Sequence, residues 1–302
     1  MIYYSVFMKC NGLRYEGPIY RPPSEAYSLL VQATIGCPHN KCTFCTVYKK
    51  GPKFQIRPVN EIKEDLLWAK KNMSNFKTVF FPAGNTVIMK TDDLVEIFSY
   101  TKKLFPKIER ITVYGSAQYI VKKSLEDWNK IADAGLSRIH VGLESGDDIV
   151  LKRVKKGSNS EIQIKAGQIL KKAGIELSEY IVLGLGDKKR SKEHIENTAK
   201  VLNMINPDFI RIRTFLPKVN TPILDEIKTG KFQILTPHEV LNEIYNLIEN
   251  LDVTSQIFSD HYTNYIPVNG KLPDDKEMML NQIKNALNLD KSCFRDVYIG
   301  TE

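Results

Sequence analysis

SLLVQATIGCPHNKCTFC, residues 28–45, joins a mostly apolar run to a loop that holds Cys37, Cys42 and Cys45. The run 28–35 is short and bounded by turn residues, and it reads as a buried strand. The cysteines follow a C-x4-C-x2-C spacing, with His39 between the first two. What comes after the loop decides the fold. Amphipathic sequence over 59–73 reads as a helix, followed by a strand over 77–82 and a helix over 91–105. The alternation continues with strands at 110–114, 138–143, 179–183 and 208–215. Helical sequence separates them at 124–134, from 147 to 173 with a break at Gly157, and at 191–204. Strands alternating with helices imply right-handed crossovers and parallel strands. Six such units fit an α/β protein, either an open sheet or a barrel short of eight units.

The chain has 302 residues, 42% hydrophobic and 26% charged, which suits a large buried core and argues against disorder. No apolar run approaches the roughly 18 residues of a membrane span. The first residues lack the pattern of a secretory leader, so a cytoplasmic protein with reduced thiols is expected. The formal net charge is +8. Its lysines fall in scattered pairs such as Lys49-Lys50 and Lys102-Lys103 on helix-like segments, as solvated helix faces do. Nucleic acid therefore stays open as a partner without being favoured. Domain boundaries are expected at 1–27 for an irregular lead-in, 28–215 for the strand–helix body and 216–302 for an α-rich extension.

Three readings of the cysteine loop compete. Zinc would take the thiolates with His39 in a closed tetrahedral site. Simple burial is poor, because Asn40 and Lys41 interrupt the cysteines. An iron–sulfur cluster would use the three thiolates and leave one iron of four open. Cys10 and Cys293 lack paired spacing and read as small buried thiols.

At this point the sequence resembles the radical S-adenosylmethionine (radical SAM) enzymes, which carry three cysteines in the loop after strand one. Phe44 stands before Cys45 as their motif asks, although the first gap is four residues where three is commonest. FPAGNT, residues 81–86, stands where the family has a stretch contacting the cofactor amine, with Ala83, Gly84 and Asn85 in place of Gly-Gly-Glu. VGLESGDDIVLKRVKKG, residues 141–157, is similar to a segment of the elongator catalytic subunit, the methylthiotransferases and the coproporphyrinogen III oxidases. There Glu144 inherits a contact to the cofactor ribose, with Ser145 beside it. IVLGLGD, residues 181–187, resembles the strand against the adenine, with Gly184 and Gly186 allowing close approach. RPPSEAYSLL (21–30) and SDHYTNYIPVNGKLPDDKE (259–277) look characteristic of a stand-alone coproporphyrinogen-oxidase-like subgroup.

The resemblance implies a partial (β/α)6 TIM-type barrel whose extension closes the active site. It implies a [4Fe-4S] cluster on Cys37, Cys42 and Cys45, and S-adenosyl-L-methionine cleaved to a 5′-deoxyadenosyl radical that abstracts hydrogen from a substrate. It also implies an external electron donor such as flavodoxin or ferredoxin. A small metabolite is the expected substrate, with RNA or a peptide as alternatives. A zinc-stabilised, basic nucleic-acid-binding protein is the remote one. Arg211 and Arg213 alternate on one strand and share a face. Arg213 is assigned to the cofactor and Arg211 to the substrate, unless they form structural ion pairs. His261 and Asn264, in an irregular stretch, are expected to touch substrate or else to clasp the loop.

Overall fold

Buried residues recur at helical spacing in α1 (Val59–Asn72), where Ile62, Leu66 and Ala69 face inward, and in α2 (Thr91–Leu104), where Leu94, Ile97 and Phe98 do. The computed structural model describes residues 9–10 and 12–300. By packing, the chain divides into two compact units interleaved along the sequence. One comprises the chain through Asn40 with Val47–Val141 and Ile169–Glu176; the other comprises Lys41–Thr46, Gly142–Gln168 and the chain from Leu177 onward.

The first unit contains β1 (Leu29–Leu30), β2 (Thr78–Phe81), β3 (Arg110–Gly115) and most of β4 (Leu136–Glu144), adjacent in that order and parallel. α3 (Leu125–Asp133) packs on α2 and opens with a reciprocal cap between Ser124 and Asp127. The expected strand at 28–35 is divided. Leu29 and Leu30 join β2, whereas Thr34 and Ile35 turn away and pair antiparallel with Gln55 and Ile56. That small ladder closes the base of the cysteine loop. Arg57 locks it, donating to Asp65 at 2.7 Å and to the Gln32 carbonyl at 2.6 Å.

The lead-in does more than its irregular sequence suggests. Glu25, from the RPPSEAYSLL stretch, is fully buried, accepts from Ser28 at 2.6 Å and Arg110 at 3.0 Å, and lies 3.4 Å from His140. Burial alone would favour its neutral form. Hydrogen bonds from His140 and Ser28 and the charge of Arg110 outweigh burial and hold the carboxyl at about 2.

The second unit carries α4 (Asp148–Arg153), most of α5 (Ser160–Lys172) and β5 (Glu176–Leu183), and then α6 (Asp187–Ile205) and β6 (Phe209–Thr214). β5 and β6 are parallel, in register from Ser178↔Phe209 to Leu183↔Thr214. The extension holds α7 (Ile223–Lys228), α8 (Pro237–Asn250), β7 (Gln256–Phe258), β8 (Gly270–Lys271) and α9 (Lys276–Leu287). It is therefore α-rich as expected, but β7 adds a further parallel strand beside β6. A three-residue strand is too short to show alternation in sequence. α7 likewise lies in a stretch that reads as loop. Among the described residues, no helix is long and apolar enough to cross a membrane.

Candidate active site

In the first unit, the backbone after β2 presses onto the start of the cysteine loop. A Cβ added at Gly84 would sit 1.7 Å from the Gly36 carbonyl oxygen, so only glycine fits. Ala83 beside it holds φ +73°, an uncommon conformation for a residue with a side chain. The Gly84 N–H donates to the Tyr48 hydroxyl at 3.2 Å. Asn85 is buried; its amide nitrogen donates to Ser116 at 2.7 Å, while its Oδ1 has no partner among the described residues. That oxygen is an acceptor awaiting a donor. Cys37 is half-buried and its sulfur accepts from the Asn40 N–H at 3.4 Å; His39 is half-buried as well.

In the second unit, Cys42 and Cys45 flank an anchored pair. The Thr43 N–H donates to the Val154 carbonyl at 3.0 Å, and its carbonyl accepts from Ile223 at 3.1 Å. Phe44 packs against a cluster that includes Val150, Val154, Val182, Phe215 and Phe232. An aromatic residue before the last cysteine thus fixes the loop by burial.

Glu144 ends β4 at φ +64°, and its Oε1 accepts from Lys156 at 2.8 Å. Lys156 is largely buried. Burial favours its neutral amine, but the Glu144 carboxylate and the Cys42 and Cys45 thiolates outweigh burial and raise its pKa. In sequence alone Lys156 carries no expected role. The signal was a lysine twelve residues after the motif glutamate, hidden among other lysines. Glu179 on β5 is buried too, and burial raises its pKa well above the usual carboxylate range, against the nearby charge of Lys156. Its Oε2 has no hydrogen-bond partner among the described residues.

Ser145 is fully buried and engaged internally. Its hydroxyl lies 2.8 Å from His194 Nδ1 and accepts from the Asp147 N–H at 3.0 Å. Burial lowers the His194 pKa to about 4, so the ring is neutral, with Nε2–H facing the Val182 carbonyl at 3.1 Å. The cap of α4 is Asp147, which accepts from the Val150 N–H. Gly184 holds φ +78°, with only Phe215 Cβ, at 3.7 Å, near the place of a missing side chain. Gly186 caps α6, where a Cβ would lie 2.7 Å from His194.

Arg211 is committed to its own unit. Its Nε donates to Ser178 at 3.2 Å, and its guanidinium lies 4.8 Å over Phe258 of the unforeseen β7. No hydrogen bond or ion pair holds Arg213 among the described residues, and its charge, after burial, helps lower His261 to about 3. His261 Nδ1 lies 2.7 Å from the Thr263 hydroxyl. Asn264 accepts from Thr214 at 3.0 Å and donates to the Ile212 carbonyl at 2.8 Å and to Ser259 at 2.9 Å. Its amide stitches the loop to β6, the work of a clasp.

Cys293 is exposed, contrary to the expected burial, because it falls in a polar one-turn helix, Lys291–Cys293. The side chain of Cys10 lies outside the described residues. Cys37, Cys42 and Cys45 form no disulfide among the described residues. Among the described residues, no three His, Cys, Asp or Glu side chains gather tightly enough for a single ion. A four-iron cluster takes one thiolate per iron and so needs a wider spacing than one zinc ion does.

The family model described as the Radical SAM superfamily matches residues 31–202. The threonylcarbamoyladenosine tRNA methylthiotransferase MtaB of Rickettsia prowazekii is 24% identical over 279 residues, 85% of this chain and 63% of that protein. The 4′-phospho-dehydrooxetanocin synthase of Priestia megaterium is 26% identical over 229 residues, 68% of this chain and 31% of that one. The chain thus spans less than two thirds of either relative. Among solved structures, coproporphyrinogen III oxidase from Escherichia coli is similar with a TM-score of 0.55 at 13% identity, covering 74% of this chain and 51% of that one. At that identity the likeness shows the fold alone.

Proposed function

The chain belongs to the radical SAM superfamily, and from that premise we propose that it is an enzyme acting on a small metabolite, with Cys37, Cys42 and Cys45 as its cluster ligands. The enzymes of this family use a [4Fe-4S] cluster and S-adenosylmethionine. When bound, these supply a one-electron cleavage that begins radical chemistry by hydrogen abstraction from substrate.

The observation that carries the reading is Lys156, a buried cation beside the Cys42 and Cys45 thiols and paired with Glu144. An ammonium there offsets thiolate charge where water is scarce. The residues fit the cofactor in four further ways. Three cysteines outside any disulfide supply the soft donors such a cluster needs. Asn85 Oδ1 is a buried acceptor without a donor, suited to a methionyl ammonium. The turn at Gly184, without a side chain, lets a flat group come close to its backbone. The Glu144 carboxylate can accept further hydrogen bonds from a ribose diol while Lys156 holds its other side.

The small-metabolite reading draws on Arg213, a half-buried cation free to meet an anionic group, and on the surface charge. Lys63, Lys77, Lys130, Lys188 and Lys192 each lie against a glutamate, as solvated faces do. A relative whose name is that of a small-molecule synthase accords with it. The second reading, a tRNA substrate, is favoured by the likeness to MtaB over 85% of the chain.

Anaerobic reconstitution with iron and sulfide tests the ligand set. Replacing Cys37, Cys42 or Cys45 with Ala should each abolish the brown chromophore and bound iron, while C293A retains both. Loss of the cluster in C293A, or its survival in C42A, would sink the assignment. Reductive cofactor cleavage is then followed with a low-molecular-weight cell extract or with total tRNA. Stimulation by the extract alone is expected; stimulation by tRNA alone replaces this reading with the second.

A further inference from the structure

We infer that Glu243, in the C-terminal extension, is a positioning residue for the Gly184–Gly186 turn and, through it, for the affinity of the enzyme for the adenosyl group of S-adenosylmethionine. The inference rests on the reading that this turn seats the adenosyl group.

Glu243 occupies an apolar stripe of α8, among the buried Val240, Leu241, Ile244, Leu247 and Ile248. A leucine there would fill the same space without the cost of burying a carboxyl. The carboxyl is instead fully used. Oε2 accepts from the Gly184 N–H at 2.6 Å and Oε1 from the Ser191 hydroxyl at 2.6 Å. Gly184 is the residue at φ +78°, where the chain leaves β5. Ser191 lies in the first turns of α6, which begins just after Gly186. One side chain from the extension therefore ties the start of the glycine turn to the helix that follows it.

The pin acts on backbone, which matters because glycines offer nothing else to hold. A glycine turn with a left-handed residue is loose by nature. A ligand that needs this turn in one conformation binds more tightly when the conformation is set beforehand. Burial raises the Glu243 pKa to about 8, so near neutral pH it is mostly a neutral acid. In either state one oxygen accepts from Gly184; the other accepts from Ser191 as a carboxylate and, when it carries the proton, donates to it. A glutamine has the same two functions in the same shape.

The test uses cluster-reconstituted protein and S-adenosylhomocysteine as the probe, with affinity read by anaerobic calorimetry. Exchange of the Gly184 amide and bound iron are measured alongside. E243A should weaken affinity about tenfold or more, since the loss of an ordering hydrogen bond is worth roughly that much. Its iron content should match wild type, and the Gly184 amide should exchange faster. E243Q should bind within about threefold of wild type, by the tenfold-per-1.4 kcal/mol scale. Should E243A fail to fold, S191A removes one end of the pin, and an intermediate loss is expected. Wild-type affinity in both E243A and S191A overturns the inference, as does an equal loss in E243Q and E243A. Wild-type protein that takes up iron but no S-adenosylhomocysteine overturns the parent reading, and this inference with it.

Discussion

Lys156 is paired with Glu144 in a largely buried setting, and its removal leaves that carboxylate without its partner. Glu144 is bonded to it at 2.8 Å, and the Cys42 and Cys45 thiolates raise its pKa. Breaking a buried pair from one side costs more than removing both partners, because one charge stays uncompensated. E144Q alone should weaken S-adenosylhomocysteine affinity about ten- to a hundredfold with the cluster intact, the cost of one charge-assisted hydrogen bond. K156M should cost as much or more, yet the double variant should fall short of the sum by about 0.5–3 kcal/mol. Affinities that add across the cycle would show that the two act apart. Glu243 gives a second residue-scale expectation, in pH. Its folded pKa of about 8 lies above the ordinary 4.5, so the folded state binds the extra proton between those values. Stability then falls as pH rises from about 4.5 to about 8, by up to roughly 5 kcal/mol, and is level above that. Thermal midpoints of wild type and E243Q should diverge across this window, with the glutamine variant the flatter. Parallel curves would place the Glu243 proton elsewhere.

At the scale of elements, the order of strands and helices was legible because each long segment carries its own period. α1 and α2 bury residues three and four apart, and β4 to β6 are apolar runs bounded by turn residues. Three-residue β7 was not, since it is too short to alternate, and the strand read at 28–35 is longer than the two-residue β1 it contains. The same limit hid half of the site. Cys37, Cys42, Cys45, Gly184 and Gly186 are marked by residue type and spacing. Lys156 and Glu243 are common residues whose role comes from what surrounds them. Glu243 was readable in principle as the one acid on the α8 apolar stripe. The surroundings of Arg211 were hidden for a related reason: its guanidinium lies over the ring of Phe258, on a strand that sequence did not reveal. Gly84 supplies the prediction here. Its missing side chain lets the stretch after β2 lie on the Gly36 carbonyl, which is backbone and cannot swing aside. G84A should keep the circular dichroism of the fold while losing most of its capacity to bind S-adenosylhomocysteine. Wild-type binding in G84A would mean that the cysteine loop and this stretch need not touch.

For the molecule as a whole, the question is whether the +8 charge is a binding feature or a solvated surface. A protein that binds RNA through phosphates needs cations free to release counterions, and each such contact steepens the salt dependence of affinity. Here the cations with clear partners face acids. Arg14 reaches Glu64 at 2.5 Å, Lys63 reaches Glu96 at 2.7 Å, and Lys188 reaches Glu239 at 2.9 Å. Arg153 is divided between Asp187 and Glu226. Such pairs are worth little in stability when exposed, but they cancel local field. The net charge left over attracts a polyanion only weakly and at long range. Total tRNA should therefore bind the holoenzyme at low salt and be released between about 50 and 200 mM, as non-specific phosphate contacts are. Cofactor cleavage at about 150 mM salt, where screening is physiological, should be the same with and without tRNA. A tRNA complex that survives at 200 mM, with cleavage accelerated by it, would show base or shape recognition beyond charge. The substrate would then be the tRNA, and Arg213 would be a phosphate contact instead of a ligand for a small anion.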